Sequence, residues 1–480
     1  MILDDILKEL KNGLNNKAYT IDDKSYTYKE LYKFVCNIYH FLLKENSSKQ
    51  PVVVYGHKDI YMKASFIACS LAGMTYVPID CSMPEERVQK IINQINPSLI
   101  IGKNVSSSKI NEIMNNDNYK EITNIYLKPD DIYYIIFTSG STGIPKGVRV
   151  TYENLNSCVH WLKNITQMQN GVIINQANFS FDLSVADLYL SLISGSEHFI
   201  MNEISGLDFN NVFEQLKVSQ ASLMVVTPSF IDLLLLDKSF GRELLPNLQQ
   251  IIFCGEKLLP STVNKLYSRF ENLKIINCYG PTECTFAVTS VNLCKDMLDN
   301  GEIPVGVPKN GVDIFIVDEN KSELKDGELG EILIVGDSVA DGYVGNISNT
   351  SFFEYNGKKA YLTGDLGYIK DGMLYYKARK DKQVKYKGYR IELSDIEENL
   401  QKLSYIDKAV AVKNINKDGK VVNIIAFVSL KENVSKSEFD ITQDILKKVP
   451  QYMCPKIKIV KDFPLNANGK CDEKKLLENF

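Results

Sequence analysis

Histidine and tryptophan are scarce in this chain, with 4 and 1 among 480 residues. The imidazoles stand far apart, at His40, His57, His160 and His198, so a hydrolase built on a Ser-His or Cys-His pair is disfavoured. The ten cysteines contain no Cys-x-x-Cys pair, which argues against both a structural zinc and a disulfide framework. No apolar run approaches the ~18 residues that span a bilayer. The opening Met1-Ile-Leu-Asp-Asp5 is acidic where a signal peptide is basic, so a reduced cytoplasm is the expected setting. Charge of one sign is lacking as well: 55 Lys plus Arg stand against 59 Asp plus Glu, for a net charge of −4. Such a balance provides no overall basic field for nucleic acid or an anionic membrane, and any anion binding must come from local pockets.

What the chain does have is ordinary globular composition, 44% hydrophobic and 24% charged, at a length that exceeds one hydrophobic core. Ile2, Ile6, Leu10 and Leu14 repeat at helical spacing, and Thr27-Tyr-Lys-Glu30 reads as a capping box opening a helix with Leu31, Phe34, Ile38 and Phe41 on its apolar face. From there a βα alternation is predicted. Strands fall at 52–55, 76–79 and 98–101, with a helix near 59–73 and another opened by Ser82-Met-Pro84. The pattern resumes with strands at 223–226, 250–253 and 274–277 and helices near 229–238 and 260–270. Between 300 and 376 short β-like runs such as 312–317 and 330–335 are punctuated by Gly and Asp, which predicts a β-rich subdomain. Beyond Arg379-Lys-Asp-Lys382 a helix near 393–403, strands near 408–414 and 421–430 and a helix near 438–448 form a compact α+β unit. The fold class expected is α/β: a large domain over 1–380 carrying the nucleotide and substrate pockets, and a small mobile domain over 381–480.

The most specific local signal is Tyr133 to Val148, an apolar strand running into Thr138-Ser-Gly-Ser-Thr-Gly-Ile-Pro-Lys-Gly147. Gly140, Gly143 and Gly147 let backbone approach a polyphosphate, Thr138, Ser139, Ser141 and Thr142 offer donors, and Lys146 adds positive charge. It is not a Walker A loop, because Lys146 follows proline and precedes glycine. A bare Gly/Ser loop has a structural reading too, and the longer stretch decides between them.

That stretch resembles the phosphate loop of the adenylate-forming superfamily, which includes acyl-CoA synthetases, luciferases and nonribosomal peptide adenylation domains. Further matches follow in order: Tyr279-Gly-Pro-Thr-Glu283, Tyr361-Leu-Thr-Gly-Asp365, Arg379 to Glu392, and Asn468-Gly-Lys470. The resemblance implies ATP and Mg²⁺ as cofactors. Asn277, Tyr279, Gly280 and Thr282 would hold the base and phosphates, Glu283 the Mg²⁺, and Asp365 with Arg379 the ribose. Asp381 would be the hinge, Gly388 would line the tunnel for a carrier thiol, and Lys470 with Glu283 would be catalytic. Each residue also has a plainer reading: Tyr279 as core packing, Asp365 as a turn residue, Lys470 as a solvated surface lysine. The implied chemistry needs no general base, since a carboxylate nucleophile is already ionised near pH 7, and this suits the poverty of histidine.

Substrate choice is expected to lie in Asn178 to Tyr189. Asp182 matches the carboxylate that pairs with an amino acid's ammonium in peptide-synthetase-like members, although an Asp before Leu183 can also simply cap a helix. Leu183, Ala186, Val226, Ile252, Cys254, Cys278, Phe286 and Ala287 are the expected side-chain pocket. Tyr55-Gly-His57, Asn175-Gln-Ala177, Thr227-Pro-Ser-Phe230 and Phe253-Cys-Gly-Glu256 are similar to the branch that charges carrier proteins with D-alanine for teichoic acid. Ala186, Leu190, Cys278 and Phe286 depart from that branch. The reading is thus a ligase that activates a small amino acid, D-alanine first, and passes it to the phosphopantetheine of a carrier protein. The alternatives are a peptide-synthetase-like enzyme for another amino acid, an acyl-CoA synthetase, and a non-catalytic nucleotide binder. No serine-bearing carrier helix follows Phe480, so the carrier is expected to be a separate protein and the enzyme a monomer without nucleic-acid or membrane partners.

Overall fold

The computed structural model describes residues 1–480 except 141–142, 202–208, 300, 346, 418, 433, 465–470 and 479–480. It divides into two compact units: Met1–Cys81 with Ile95–Phe137 and Gly147–Lys380, and Ser82–Gln94 with Thr138–Lys146 and Asp381–Phe480.

The first unit is built on the short apolar runs. Leu223–Val226, Gln250–Phe253 and Lys274–Tyr279 are neighbours in a nine-stranded sheet, in register through Val225, Ile252 and Ile276. Val172–Asn175, Glu197–Ile200, Lys17–Ile21 and Lys24–Thr27 extend it on one side, Thr289–Asn292 and Val307–Pro308 on the other. Buried on both faces, the central strands need no polar alternation. Val52–Gly56, Tyr76–Asp80 and Leu99–Ile101 lie in a second, five-stranded sheet, and an antiparallel sheet containing Val312–Val317, Gly330–Gly336 and Lys358–Lys370 is the β-rich part. The expected capping box is present: Glu30 N–H donates to Thr27 Oγ1 at 3.2 Å and Thr27 N–H to Glu30 Oε2 at 2.8 Å. Two helices are shorter than their periodicity. The first stops at Asn12, where the Gly13 N–H closes onto Glu9 O, leaving Leu14 exposed. The helix expected to 238 is Pro228–Leu234, and the Arg269 guanidinium donates to the carbonyls of Leu235 and Phe240 just beyond it.

In the second unit, Gln383–Tyr386 and Tyr389–Glu392 form a hairpin, and Ile406–Ile415, Val421–Leu430 and Lys456–Ile459 form a three-stranded sheet. Helices Leu393–Gln401 and Glu438–Leu446 pack on a core that includes Ile396, Leu400, Ala426, Ile441 and Ile445. Among the described residues no helix is long and apolar enough to cross a membrane.

Candidate active site

In the first unit the strand Lys274–Tyr279 delivers Asn277 and Tyr279 to a tight turn. Gly280 has no room for a side chain, because a Cβ there would lie 2.5 Å from Ala287 Cα and 3.0 Å from Phe286 O. A short 3₁₀ turn, Thr282–Cys284, follows, and then Thr285 and Phe286 both take left-handed backbone, with φ of 59° and 70°. Neither a β-branched nor a bulky aromatic residue favours that region, so surrounding contacts must hold it. They include Thr285 Oγ1 donating to Ser338 O at 3.0 Å, Ala340 N–H donating to Glu283 O at 2.9 Å and Val288 N–H donating to Tyr279 O at 2.8 Å. The Glu283 carboxylate is wholly buried and accepts from the Tyr343 hydroxyl at 2.6 Å.

Asp365 and Arg379 face each other across an antiparallel ladder. Arg379 Nη1 donates to Asp365 Oδ1 at 2.9 Å and to Thr363 O at 2.8 Å, and Tyr279 Oη donates to Asp365 Oδ2 at 2.7 Å. Burial, and then the Asp365 charge, push the Tyr279 hydroxyl well above its ordinary value, so it remains a donor. Tyr279 therefore links the Tyr279–Glu283 motif to the Tyr361–Asp365 motif, and its ring packs at 6.1 Å from Tyr376. Asn277 is buried with its amide nitrogen donating to Pro304 O at 2.8 Å.

The helix Leu183–Ile193 is buried all round, and Asp182 stands at its start. Asp182 has helical dihedrals (φ −64°, ψ −22°) rather than the extended ones that turn an N-cap side chain onto the first turn, and its carboxylate does not cap the helix. The Phe181 carbonyl does that work, accepting from the N–H and the hydroxyl of Ser184. Of the expected pocket, Leu183, Ala186, Ile252, Cys254, Cys278, Phe286 and Ala287 belong to one apolar cluster. Val226 does not: strand alternation turns Val225 into this cluster and Val226 into the one on the opposite face, with Met224 and Phe253.

In the second unit, Gly143 N–H donates to Gly140 O at 3.1 Å, and Lys146 opens the strand Lys146–Thr151. Ser139, expected among the phosphate donors, has a buried hydroxyl that donates to Arg390 O at 2.8 Å and accepts from Glu392 N–H at 3.1 Å. Ser141, Thr142 and Lys470 lie outside the described residues. Asp381 Oδ1 accepts from the N–H of Gln383 at 3.1 Å. Gly388 (φ 82°), with Lys387 (φ 52°), makes the two-residue turn of the hairpin.

Sequence reasoning overlooked Cys158, which joins the pocket cluster, and Tyr343, which holds Glu283. It also passed over a buried polar group below the helix, where Asn175 Nδ2 and His198 Nε2 lie 3.0 and 2.9 Å from Asp187 Oδ1 and Lys63 reaches Ala18 O and Ser191 Oγ. These partners come from elements far apart in the chain, and no local pattern announces them. Among the described residues no group of three or more His, Cys, Asp or Glu side chains is arranged to hold a metal by itself.

A strained turn with a buried glutamate, an Asp–Arg–Tyr triad and a small apolar cluster, carried on a large α/β body with a smaller α+β unit, define an adenylating enzyme of two units. The chain belongs to the AMP-binding enzyme family: the model of that family matches residues 9–344, and that of its C-terminal domain matches 395–470. The D-alanine–D-alanyl carrier protein ligase of Bacillus licheniformis is 37% identical with 99% of each chain covered, and that of Listeria innocua is 39% identical with 94% and 93% covered. Among solved structures, the Vibrio cholerae adenylation domain AlmE in complex with glycyl-adenosine-5′-phosphate superposes with a TM-score of 0.86 at 23% identity, covering 100% of this chain and 97% of that one. The adenylation and carrier-domain protein PA1221 gives 0.85 at 23% identity, covering 100% and 84%. At that identity the structures speak for the fold.

Proposed function

We propose that the protein is a ligase that activates D-alanine with ATP as an aminoacyl-adenylate and transfers it to the phosphopantetheine thiol of a separate carrier protein, in the cytoplasm. The observation that carries this reading is the placement of Asp182, a carboxylate at the start of the buried helix Leu183–Ile193, beside a pocket wall of small and thiol side chains. An ammonium is the natural partner for such a group, and a fatty or aryl acid has none to offer. The full-length identity to ligases named for D-alanine supplies the rest. The amino acid's carboxylate oxygen bonds to the α-phosphorus of ATP as the bond to the bridging oxygen breaks and pyrophosphate leaves. The carrier thiol, losing its proton, then bonds to the acyl carbon and AMP departs. Lys470 and the glycine-rich loop would meet the charge on the phosphates in the first step, and Asp365 would accept from the ribose hydroxyls while Arg379 and Tyr279 hold it in place. Glu283 fits the Mg²⁺ that accompanies ATP, since its buried carboxylate, oriented by the Tyr343 hydroxyl, is a hard oxygen donor. Bound there, Mg²⁺ would supply Lewis-acid stabilisation of phosphate charge.

The test is amino-acid-dependent pyrophosphate exchange over all D- and L-amino acids, followed by loading of a D-alanyl carrier protein. D-Alanine should lead both. Preference for another small amino acid would favour the peptide-synthetase-like reading, for which the departures at Ala186, Cys278 and Phe286 speak. In Asp182→Ala, kcat/KM for the amino acid should fall by about 2–4 kcal/mol, with ATP binding unchanged. An unchanged amino-acid KM and kcat would show the pocket to be elsewhere.

A further inference from the structure

Cys158 lies on the helix Tyr152–Thr166, outside every motif that the function uses. That helix divides its buried face. Tyr152, Leu155 and Val159 join the large core, whereas Cys158 and Leu162, four residues apart and so on one stripe, join the pocket cluster with Ala186, Cys254, Cys278, Phe286 and Ala287. Three thiols outside any disulfide, those of Cys158, Cys254 and Cys278, therefore share one cluster. Cys254 and Cys158 both lie near enough to Cys278 to act on it electrostatically. The Cys158 sulfur is also within reach of the Ala287 backbone N–H and of the field of Asp182. Burial pushes the Cys158 thiol up to about 12 and Cys278 well up, so both stay neutral at physiological pH and present soft, apolar surface.

Ala186 contributes no bulk beyond Cβ to this cluster, and Phe286 in the same cluster is held in left-handed backbone, with Cys254 Sγ 3.9 Å from its carbonyl oxygen. The Cys158 thiol adds to the same cluster a buried side chain from a helix that none of the expected pocket residues shares. We infer that Cys158 is a specificity-determining residue, the floor that limits the amino-acid side chain to about the size of a methyl group. This deepens the proposed function and rests on its placement of the amino acid beside Asp182.

The test compares kcat/KM in pyrophosphate exchange for D-alanine and D-2-aminobutyrate, which differ by one methylene. Cys158→Ala should raise the ratio of the larger to the smaller substrate about tenfold, the lower end of what one methylene decides in an apolar pocket, with ATP KM unchanged. Cys158→Ser, of similar size, should keep the wild-type ratio. Cys158→Val, which fills the space, should depress D-alanine relative to glycine, and it keeps the test open should the alanine variant fold poorly. An unchanged ratio in well-folded Ala and Val variants, or an equal loss on every amino acid, would overturn the inference while leaving the D-alanine reading intact. If the wild type prefers another small amino acid, that reading fails, and the same ratio measured with that substrate and its one-methylene homologue still decides for or against Cys158. A wild type that exchanges no amino acid overturns both.

Discussion

Lys63 is a fully buried lysine whose ammonium, among the described residues, has only Ala18 O at 3.2 Å and Ser191 Oγ at 3.3 Å as bonded partners, with the Tyr19 ring 5.4 Å away. Burial lowers it from 10.5 to about 7, against the opposing pull of Asp187. The groups around it are also driven toward neutrality by burial: Asp187 and Tyr19 well up, His198 well down. Lys58, buried nearby, donates to the carbonyls of Gln176 and Met201. Between about pH 7 and 10.5 the unfolded chain binds one proton more than the folded one at Lys63, so stability rises with pH across that window. Below it the fold carries the whole cost of the buried charge. Lys63→Met should therefore be more stable than the wild type by the largest margin at pH 6, on the order of a few kcal/mol, and by a visibly smaller one at pH 9. Urea denaturation at the two pH values checks this; a margin independent of pH would mean that Lys63 titrates normally in the fold.

At the scale of elements, the hairpin Gln383–Glu392 turns on two residues, and both have positive φ, the type I′ geometry that suits the twist of two antiparallel strands. Lys387 tolerates that region at some cost, and Gly388 tolerates it freely. Its strands present Arg390 O and Glu392 N–H to Ser139, and Tyr389 stacks on Tyr452 with ring centroids 3.9 Å apart. Gly388→Val should cost about 1–2 kcal/mol locally and slow thiol transfer more than adenylation, if this turn lines the route of the carrier arm. Carrier loading and pyrophosphate exchange measured on the same preparation separate the two. Equal rates with the wild type in both would remove the hairpin from the mechanism.

For the whole molecule the test is whether two half-reactions can be separated by residues remote from each other in the chain. Lys470→Ala should abolish amino-acid-dependent pyrophosphate exchange, by a factor of about 10² or more for a lost charge at a transition state, while transfer from supplied aminoacyl-adenylate persists. Asp381→Pro, which sets φ at the point where the chain last passes from one unit to the other, should do the reverse. Loss of both half-reactions in both variants would show that one arrangement of the protein serves both steps.

Much of this was legible in the chain alone. The βα alternation and the capping box at Thr27 follow from local periodicity and short-range hydrogen bonding, which neighbouring residues decide between themselves, and the motifs were legible in order through resemblance to the adenylate-forming superfamily. The central strands were legible for the same reason: a run of apolar residues buried on both faces has little other place to go. What neighbours in sequence could not settle is which way a side chain faces and what it meets. One position in a strand separates Val225, toward the pocket cluster, from Val226, away from it. Tyr279 reaches Asp365 across 86 residues, Ser139 reaches Arg390 across 251, and Cys158 on a helix joins Cys278 in a strand and Cys254 at the end of one. Such contacts are made only when separate elements pack, because their energy depends on distances that the local pattern leaves undetermined. The kind of chemistry was therefore written in the motifs, and the geometry that selects a substrate was decided by the tertiary packing around them.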